Sequence, residues 1–342
     1  DEDGDGGDDQ STDASSGLTT EQGHEANEEH RYLRRIKKLR SLNVRMIDYK
    51  SVTIVRKIAQ GGFGQVYLVT VFDTVTQSRQ QLAMKVMLES DITNDDFKEF
   101  LNEVRIMSLL DHPNVLPLYG VCCDSDRLCL FTKYMSRGGL DAVMNNTSTT
   151  NKPYFTLNQR LRMMLDAARG MAYLHSRVPA VIHRDLKSAN LLVDDSFNIT
   201  VCDFGMARLK TRSMGKTAYV STWNYMPPEK MQAPDERPMS DSEMDRLEEA
   251  GDVYSFAVIC YEIVTRLPVF PDALYPMQIA TIVSRGDRPQ FPSPEEAIQQ
   301  GIADDVNLYS KLKQLIVSSW DQNPTNRPSF AELVERIEKL IN

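Results

Sequence analysis

Two short motifs constrain this chain more than any other feature: H-R-D-L-K-S-A-N at residues 183–190 and D-F-G at residues 203–205. Between them, residues 191–201 hold two short hydrophobic segments around polar turn residues, which predicts a β-hairpin. The hairpin would bring Asn190 and Asp203 side by side. Carboxylate and amide oxygens are ligands that Mg²⁺ prefers, and Mg²⁺ commonly keeps bound phosphates as well. The two motifs therefore predict a site for a metal ion and a phosphate compound.

The first motif also carries Asp185, an acid able to accept a proton, and Lys187, a base two residues further on. Together the two motifs resemble the catalytic loop and the metal-binding loop of eukaryotic protein kinases. The resemblance extends over about residues 50–341. It implies an α+β class and the bilobal protein kinase fold, with a small β-rich N-lobe and a larger helical C-lobe.

Lys85 lies in the apolar segment L-A-M-K-V at residues 82–86, where an unpaired charge would be costly. The later segment at residues 95–110 has apolar residues at helical spacing and therefore predicts a helix. Glu103 lies beside the apolar face of that helix. The strand resembles the V-A-I-K strand of kinases, which implies that Lys85 pairs with Glu103 and with the phosphates of ATP.

I-A-Q-G-G-F-G at residues 58–64 lies between two β-rich segments and resembles the glycine-rich loop that covers ATP in kinases. Ala59 replaces the first glycine of the family pattern, and Gly61 and Gly64 supply the other two. A dinucleotide-binding Rossmann loop is disfavoured because a second strand follows, where that fold would begin a helix. The resemblance implies that ATP is bound by Ala59, Gly61, Gly62, Phe63, Gly64, Val66, Ala83, Lys85, Thr132, Lys133, Tyr134, Met135, Leu192 and Asp203.

The reaction implied by the resemblance is transfer of the γ-phosphoryl group of ATP to a protein hydroxyl, with Mg²⁺ as the cofactor and Mn²⁺ as an alternative. Asp185 would orient the hydroxyl and accept its proton, and Lys187 would contact the γ-phosphate. Asn190 and Asp203 would hold the metal. The catalytic residues implied in this way are Asp185, Lys187, Asn190, Lys85 and Glu103.

The class of acceptor hydroxyl is predicted from a mixed pattern. Lys187 and Thr222 resemble serine/threonine kinases, whereas F-L-N-E-V-R-I-M at residues 100–107 and D-V-Y-S-F at residues 252–256 resemble tyrosine kinases. The mixture is typical of the tyrosine-kinase-like group, whose members mostly modify serine and threonine. A dual-specificity or tyrosine kinase is the alternative. A pseudokinase scaffold is less favoured, since every catalytic residue named above is present.

Residues 206–226 resemble an activation segment, which P-P-E ends where the family usually has A-P-E. Arg184 needs a negative partner beside the active site, and Arg208 could join it in a two-arginine pocket. The segment contains no Asp or Glu, so we expect a phosphate, on Thr217, to fill the pocket. The other regulatory residues predicted are Ser213 and Tyr219 as alternative acceptors, and Thr222 as a contact to the catalytic loop.

Three further expectations concern the helical lobe. Glu229, in P-P-E, is expected to pair with Arg327. Asp252 is expected to open a buried helix and to accept backbone hydrogen bonds from the catalytic loop. Residues 230–250 hold an acidic, proline-containing insertion, which we interpret as an exposed loop or, alternatively, as a docking surface for basic partners.

Charge divides the chain into a tail and a folded part. Residues 1–30 hold eleven acidic residues and no Lys or Arg, so a total net charge of −9 leaves +2 for residues 31–342. The predicted domains are an acidic disordered tail at 1–29, a basic helical lead-in at 30–48, and the kinase domain at 49–342, with its N-lobe at 49–133 and its C-lobe at 136–342. We expect a solvated lead-in; contact with an anionic membrane surface or with the acidic tail is the alternative.

The folded part is nearly neutral, which argues against a nucleic-acid-binding surface. A membrane segment is not evident, because no apolar run is long enough to cross a bilayer. The five cysteines lack the spacing of a disulfide framework and indicate a reducing compartment. We therefore expect a cytoplasmic protein, or the cytosolic portion of a larger one. Its expected partners are protein substrates, and the chain is expected to be a monomer or a transient dimer for trans-phosphorylation.

Overall fold

The computed structural model describes residues 32–61, 64–73, 77–89, 92–124, 127–145, 155–203, 208–209, 220–231 and 239–341. The N-terminal lobe is built around an antiparallel sheet of five strands in the order β1-β2-β3-β5-β4. Its strands are β1 (Val52–Gly61), β2 (Gly64–Asp73), β3 (Ser78–Glu89), β4 (Leu118–Cys123) and β5 (Arg127–Lys133). The β-rich N-lobe expected from the sequence is therefore present.

Two helices pack on this sheet: α1 at residues 32–40 and α2 at Asn94–Met107. Side chains alternate between the two faces of a strand. Along β5, Leu128 and Leu130 accordingly belong to the core under the helices, whereas Cys129 belongs to the core on the other face. The helix that carries Glu103 is thus fixed to the sheet that carries Lys85.

The lead-in helix α1 lies where the sequence predicts a helix, but it is not solvated on all sides. Leu39 is fully buried in the core that α2 and the sheet share. Arg35 is also buried: its Nη2 donates to the carbonyl oxygen of Ile92 at 2.7 Å, and its guanidinium lies over the ring of Phe97. The lead-in therefore packs as part of the N-lobe.

The C-terminal lobe is largely helical, as expected. Its helices are α3 (Leu140–Asn145), α4 (Leu157–His175), α5 (Pro228–Met231), α6 (Asp241–Thr265), α7 (Pro276–Ser284), α8 (Pro294–Gln299), α9 (Val306–Ser319) and α10 (Phe330–Ile341). From Val253 to Val264 almost every side chain of α6 is buried, as expected for a helix that is apolar on all sides. Among the described residues, no helix combines the length and the apolar character needed to cross a lipid bilayer.

The last ten residues of the acidic insertion are helical, where the sequence predicts a loop. A loop is predicted over residues 230–250 and a helix from Asp252, but α6 begins at Asp241. The Ser240 hydroxyl accepts the backbone N–H of Glu243, and the Glu243 carboxylate accepts the backbone N–H of Ser240. This capping box stabilises the start of the helix, and its S-x-x-E signature was obscured by the acidic composition around it.

The hairpin predicted between the two motifs is present. The small strands of this lobe are β6 (Gly138–Gly139), β7 (Val181–Ile182), β8 (Leu191–Val193), β9 (Ile199–Val201) and β10 (Arg208–Leu209). β8 pairs antiparallel with β9, and β7 pairs with β10. At the open end of the hairpin the backbone N–H of Cys202 donates to the carbonyl oxygen of Asn190 at 2.9 Å. Asn190 and Asp203 are therefore neighbours, as the motif spacing predicts.

Candidate active site

The catalytic loop lies between β7 and β8, and its charged side chains contact one another. Lys187 Nζ lies 2.7 Å from Asp185 Oδ2. Asn190 Nδ2 donates to the backbone carbonyl oxygen of Asp185 at 2.7 Å and to its carboxylate at 3.3 Å. Asp185 and Asn190 are both buried. The three residues predicted from the first motif are thus brought together.

Asp252 on α6 holds the backbone of this loop. Its carboxylate accepts the backbone N–H groups of His183 and Arg184, each at 2.8 Å, and His175 Nε2 lies 2.9 Å from it. Burial opposes ionisation, but the hydrogen bonds and the nearby histidines outweigh it and lower the pKa of Asp252 below its ordinary value. Arg184 has a φ of 68°, in the left-handed region that few side chains adopt, so these bonds hold a strained turn. The hydrogen bonds predicted for Asp252 are confirmed, whereas the helix that it was expected to open begins at Asp241.

Lys85 lies between carboxylates from two parts of the chain. Its Nζ is 3.0 Å from Glu103 Oε1 on α2 and 3.3 Å from Asp203 Oδ1 after β9. Burial disfavours the ammonium ion, but the charges of the two acids outweigh it and raise the pKa of Lys85. Burial also raises the pKa of Glu103, which shares this one cation with Asp203. Lys85 therefore stays charged and joins β3 to the D-F-G motif.

The predicted glycine-rich loop joins β1 and β2. Ala59 lies within β1 opposite Val66, so the methyl group that replaces the family glycine is accommodated in the strand. Gly64 has a φ of 120°, and a Cβ at this position would collide with the backbone carbonyl oxygen of Val86 on β3. A glycine is therefore required where the loop returns to the sheet.

Lys85, Glu103, Asp185, Lys187 and Asp203 form the charged centre of the site. An apolar cluster lies next to it. Met135 and Cys202 belong to a small buried core, against which Leu192 packs. Ala83 on β3 lies opposite Thr132 on β5, at the end of the sheet from which the chain enters the C-lobe. Apolar surfaces beside a few fixed polar groups are typical of small-molecule sites, and a nucleotide base suits this one.

Other predicted residues lie away from the charged centre or outside the described part of the chain. Lys133 is exposed at the end of β5, and the hydroxyl of Tyr134 accepts a hydrogen bond from Arg56 Nη2 at 2.9 Å. The structure does not bring these two side chains to the catalytic loop. Outside the described residues lie Gly62, Phe63, Ser213, Thr217 and Tyr219, together with the side chains of Arg208 and Thr222.

Arg184 has a carboxylate partner that the sequence analysis did not predict. Its Nε lies 3.2 Å from Glu248 Oε2 on α6, and Lys230 Nζ lies 3.0 Å from the same oxygen. Arg184, for which a phosphate partner was expected, thus contacts a carboxylate from another element. Glu248 was missed because it falls in the segment predicted as a loop, although it precedes Asp252 by one helical turn.

The predicted pair between Glu229 and Arg327 is confirmed. Arg327 Nη1 and Nη2 donate to the two carboxylate oxygens of Glu229 at 2.7 and 2.8 Å. Arg327 also donates to the backbone carbonyl oxygens of Ala250 at 3.0 Å and of Asp321 at 2.9 Å. The pair fixes α5, which follows the activation segment, to α6 and to the turn that precedes α10.

A buried polar network beneath the catalytic loop was also missed. The hydroxyl of Tyr225 donates to the Glu262 carboxylate at 3.0 Å and lies 2.8 Å from Ser188 Oγ. Burial raises the pKa of Glu262 to about 7, although hydrogen bonds from the two hydroxyls oppose this shift. The available signal was a single acid inside the apolar run V-I-C-Y-E-I-V.

The donor atoms at the end of the hairpin fit Mg²⁺ bound together with phosphates. The amide nitrogen of Asn190 is bonded to Asp185, which leaves the amide oxygen as its ligand atom, and Asp203 supplies a carboxylate. Over the described ranges, no group of three or more His, Cys, Asp and Glu side chains could hold a metal. Mg²⁺ typically takes one or two protein oxygens and completes its shell with phosphates and water, so the donor set suits this ion.

A β-rich lobe and a helical lobe with Lys85, Asp185 and Asp203 assembled in this way define a protein kinase. The sequence pattern of the protein tyrosine and serine/threonine kinase family matches residues 52–337. The chain belongs to this family. The fold class expected from the sequence is therefore confirmed.

Several curated proteins are similar to this chain. The serine/threonine-protein kinase STY17 of Arabidopsis thaliana is 33% identical over 297 residues, which cover 86% of this chain and 45% of that protein. The probable serine/threonine-protein kinase drkA of Dictyostelium discoideum is 32% identical over 296 residues, 86% of this chain and 40% of that protein. The serine/threonine-protein kinase CTR1 of Arabidopsis thaliana is 32% identical over 297 residues, 86% of this chain and 32% of that protein. The chain thus spans less than half the length of each of these relatives.

Proposed function

We propose that this chain transfers the γ-phosphoryl group of ATP to serine and threonine hydroxyls of protein substrates. The observation that carries the proposal is the position of Lys85 Nζ, 3.0 Å from Glu103 and 3.3 Å from Asp203. This contact joins β3, α2 and the D-F-G motif, so a phosphate-binding cation lies beside a metal-binding acid. The names of the relatives, all serine/threonine-protein kinases, support the choice of hydroxyl.

Asp185 would act on the acceptor hydroxyl. Its carboxylate would orient the hydroxyl and accept the proton as the oxygen bonds to the γ-phosphorus and the bond to the bridging oxygen of ADP breaks. Lys187, 2.7 Å from this carboxylate, would contact the transferred phosphoryl group. Asn190 donates to the same carboxylate at 3.3 Å, so the acid is held in place before the reaction begins.

The remaining residues would position ATP. When bound, Mg²⁺ or Mn²⁺ would be held by Asn190 and Asp203 and would neutralise charge on the phosphates. Lys85 would bind the α- and β-phosphates as a fixed cation. Gly64 allows the loop backbone to approach the sheet closely. Little covalent chemistry is required of the protein, so placement and charge account for the rate.

Lys187 favours serine and threonine over tyrosine as acceptors, because a lysine two residues after the catalytic acid is typical of serine/threonine kinases. The tyrosine-kinase-like motifs in α2 and α6 support the tyrosine-kinase-like group. A tyrosine or dual-specificity kinase is the alternative. A scaffold without catalysis is disfavoured, because Lys85, Asp185 and Asp203 are all present and in contact with charged or polar groups of the site.

The setting and control of the reaction are proposed from the sequence. The proposed location is the cytoplasm, or the cytosolic portion of a larger protein, with a monomer or a transient dimer as the active unit. Phosphorylation of the activation segment, first at Thr217, stays a prediction because that residue lies outside the described part of the chain.

Phosphosite mapping tests the proposed activity. The purified chain is incubated with Mg-ATP and peptide pools whose only acceptor is serine, threonine or tyrosine, and the products are mapped by mass spectrometry. We expect phosphoserine and phosphothreonine, and about 100-fold less of either from a matched Asp185→Asn chain in the same time. Transfer to tyrosine alone would establish the alternative, and equal product from both chains would contradict the role of Asp185.

A further inference from the structure

One face of α6 holds both the backbone and the side chain of the residue that precedes Asp185. Asp252 accepts the backbone N–H of Arg184 at 2.8 Å. Glu248, one helical turn earlier and therefore on the same face, accepts the side-chain Nε of Arg184 at 3.2 Å. The strained φ of 68° at Arg184 is thus fixed at two points by a single rigid element.

The same carboxylate also contacts α5, the helix that follows the activation segment. Lys230 Nζ on α5 lies 3.0 Å from the Glu248 oxygen that contacts Arg184. Arg184, Asp185 and Lys230 line one small cavity of about 40 Å³, which has room for roughly one water molecule. A displacement of Arg184 would therefore change the wall next to Asp185.

The exposure of these side chains indicates what the contact does. The side chains of Arg184, Glu248 and Lys230 are 27%, 21% and 30% exposed. Ion pairs reached by solvent contribute little to the stability of a fold. The contact is therefore better suited to setting the position of the catalytic loop than to holding the lobe together.

The charges around Glu248 also fit a role in positioning the catalytic loop. Arg184 and Lys230 supply two positive charges around one carboxylate, which is the kind of environment in which proteins hold a phosphate. We propose that Glu248 is a positioning residue for phosphoryl transfer, which holds Arg184 in place without a phosphate on the activation segment. The inference rests on the proposed function and names how the catalytic loop of that same site is kept in place.

The test compares phosphatase-treated wild-type chain with Glu248→Gln, Glu248→Asp and Glu249→Gln. Glu249 is the matched control, because it is the next acid on α6 and makes no ion pair among the described residues. We expect Glu248→Gln to lower kcat by roughly tenfold, since a misplacement of about 1 Å can cost about 100-fold and Asp252 still holds the backbone of Arg184 in this variant. KM for ATP and the melting temperature should stay at the wild-type values. Glu248→Asp should restore most of the rate, and Glu249→Gln should change nothing.

A double variant tests whether Glu248 acts through Arg184. If it does, Arg184→Gln with Glu248→Gln should be no slower than Arg184→Gln alone, because coupled residues are not additive. Multiplied losses in the double variant, or a wild-type kcat in Glu248→Gln, would overturn the inference while leaving the proposed function intact. A wild-type chain that is active before phosphatase treatment and inactive after it would overturn the inference alone, and a wild-type chain that transfers no phosphoryl group in either state would overturn both.

Discussion

Lys85–Glu103 and Arg327–Glu229 are both cation–carboxylate pairs with little exposure to solvent, but among the described residues only the Arg327–Glu229 pair uses both carboxylate oxygens. Arg327 contacts both oxygens of Glu229 and two backbone carbonyl oxygens besides. Glu103 contacts Lys85 through Oε1, and its buried Oε2 has no hydrogen-bond partner in the described part of the chain. Lys85 in turn is shared with Asp203.

The difference follows from the chemistry of the two cations. A guanidinium has a planar fork that matches a carboxylate, so Arg327 forms a pair with a fixed geometry between distant segments. An ammonium is a point charge with three rotatable donors, so Lys85 can keep one acid while it contacts another anion. The Arg327–Glu229 pair is suited to holding the C-lobe together, and the Lys85–Glu103 pair is suited to receiving phosphates. Substitutions should therefore separate stability from activity.

The largest effect on stability is expected from Arg327→Met. This substitution removes both hydrogen-bond donors from the largely buried carboxylate of Glu229. The loss should lower the free energy of unfolding by about 3–5 kcal/mol. The rate per folded molecule should change little, because the pair does not contact the catalytic loop. Urea unfolding followed by fluorescence, together with the activity of the folded fraction, measures both quantities.

Arg169→Met is the matched control, since Arg169 pairs with Glu338 on the surface with side chains 45% and 41% exposed. Its loss should lower the free energy of unfolding by about 1 kcal/mol or less. If Arg327→Met were as mild as Arg169→Met, the Arg327–Glu229 pair would not be the structural one.

Lys85→Met should lower the activity strongly and the stability only moderately. We expect turnover to fall about 100-fold or more, which corresponds to about 2.7 kcal/mol in the barrier. Stability should fall less than in Arg327→Met, because the raised pKa of Glu103 lets this acid take up a proton when its cation is removed. Steady-state rates and urea unfolding are the measurements.

Lys98→Met is the control for a lysine, since its pair with Asp95 on α2 is 72% and 85% exposed. It should leave both rate and stability unchanged. Wild-type turnover in Lys85→Met would show that Lys85 does not serve the reaction.

The smallest expected effect is on the pH dependence of stability. It concerns Glu262, a largely buried acid that has no ion pair with a cation in the described structure. The pKa of Glu262 is raised from 4.5 to about 7, so between these values the folded chain binds a proton that the unfolded chain does not. The free energy of unfolding should therefore fall as pH rises from about 4.5 to about 7, by about 2.5 kcal/mol from this residue. Glu262→Gln should remove that part of the slope, measured by urea unfolding at several pH values. Glu335→Gln, an exposed acid on α10, should retain the wild-type slope.

Local sequence patterns were sufficient for the hairpin, for the buried helix and for the unusual position of Lys85, whereas the bilobal fold and the pairing of Lys85 with Glu103 were implied by the resemblance to protein kinases. The hairpin between the two motifs has its two hydrophobic segments within eleven positions of one another, so Asn190 and Asp203 could be placed as neighbours. The buried part of α6 was predictable because its apolar side chains leave no solvent-facing stripe. Lys85 was recognisable as a charge inside an apolar strand.

Contacts between distant segments were not predictable in the same way. Arg35 looks solvent-exposed in a basic helix, and its burial depends on a carbonyl oxygen 57 residues away. Glu248 could be placed opposite Arg184 only with the start of α6 known, because a helix and a loop direct its side chain differently. The raised pKa of Glu262 likewise depends on burial by other elements, which no local pattern contains.

The most direct test of the central claim is single-turnover phosphoryl transfer by Asp185→Asn. Asparagine keeps the shape of the side chain but cannot accept the proton of the acceptor hydroxyl. The account predicts that ATP affinity stays near the wild-type value while transfer slows by about 10²-fold or more. Equal single-turnover rates in the variant and the wild-type chain would contradict it.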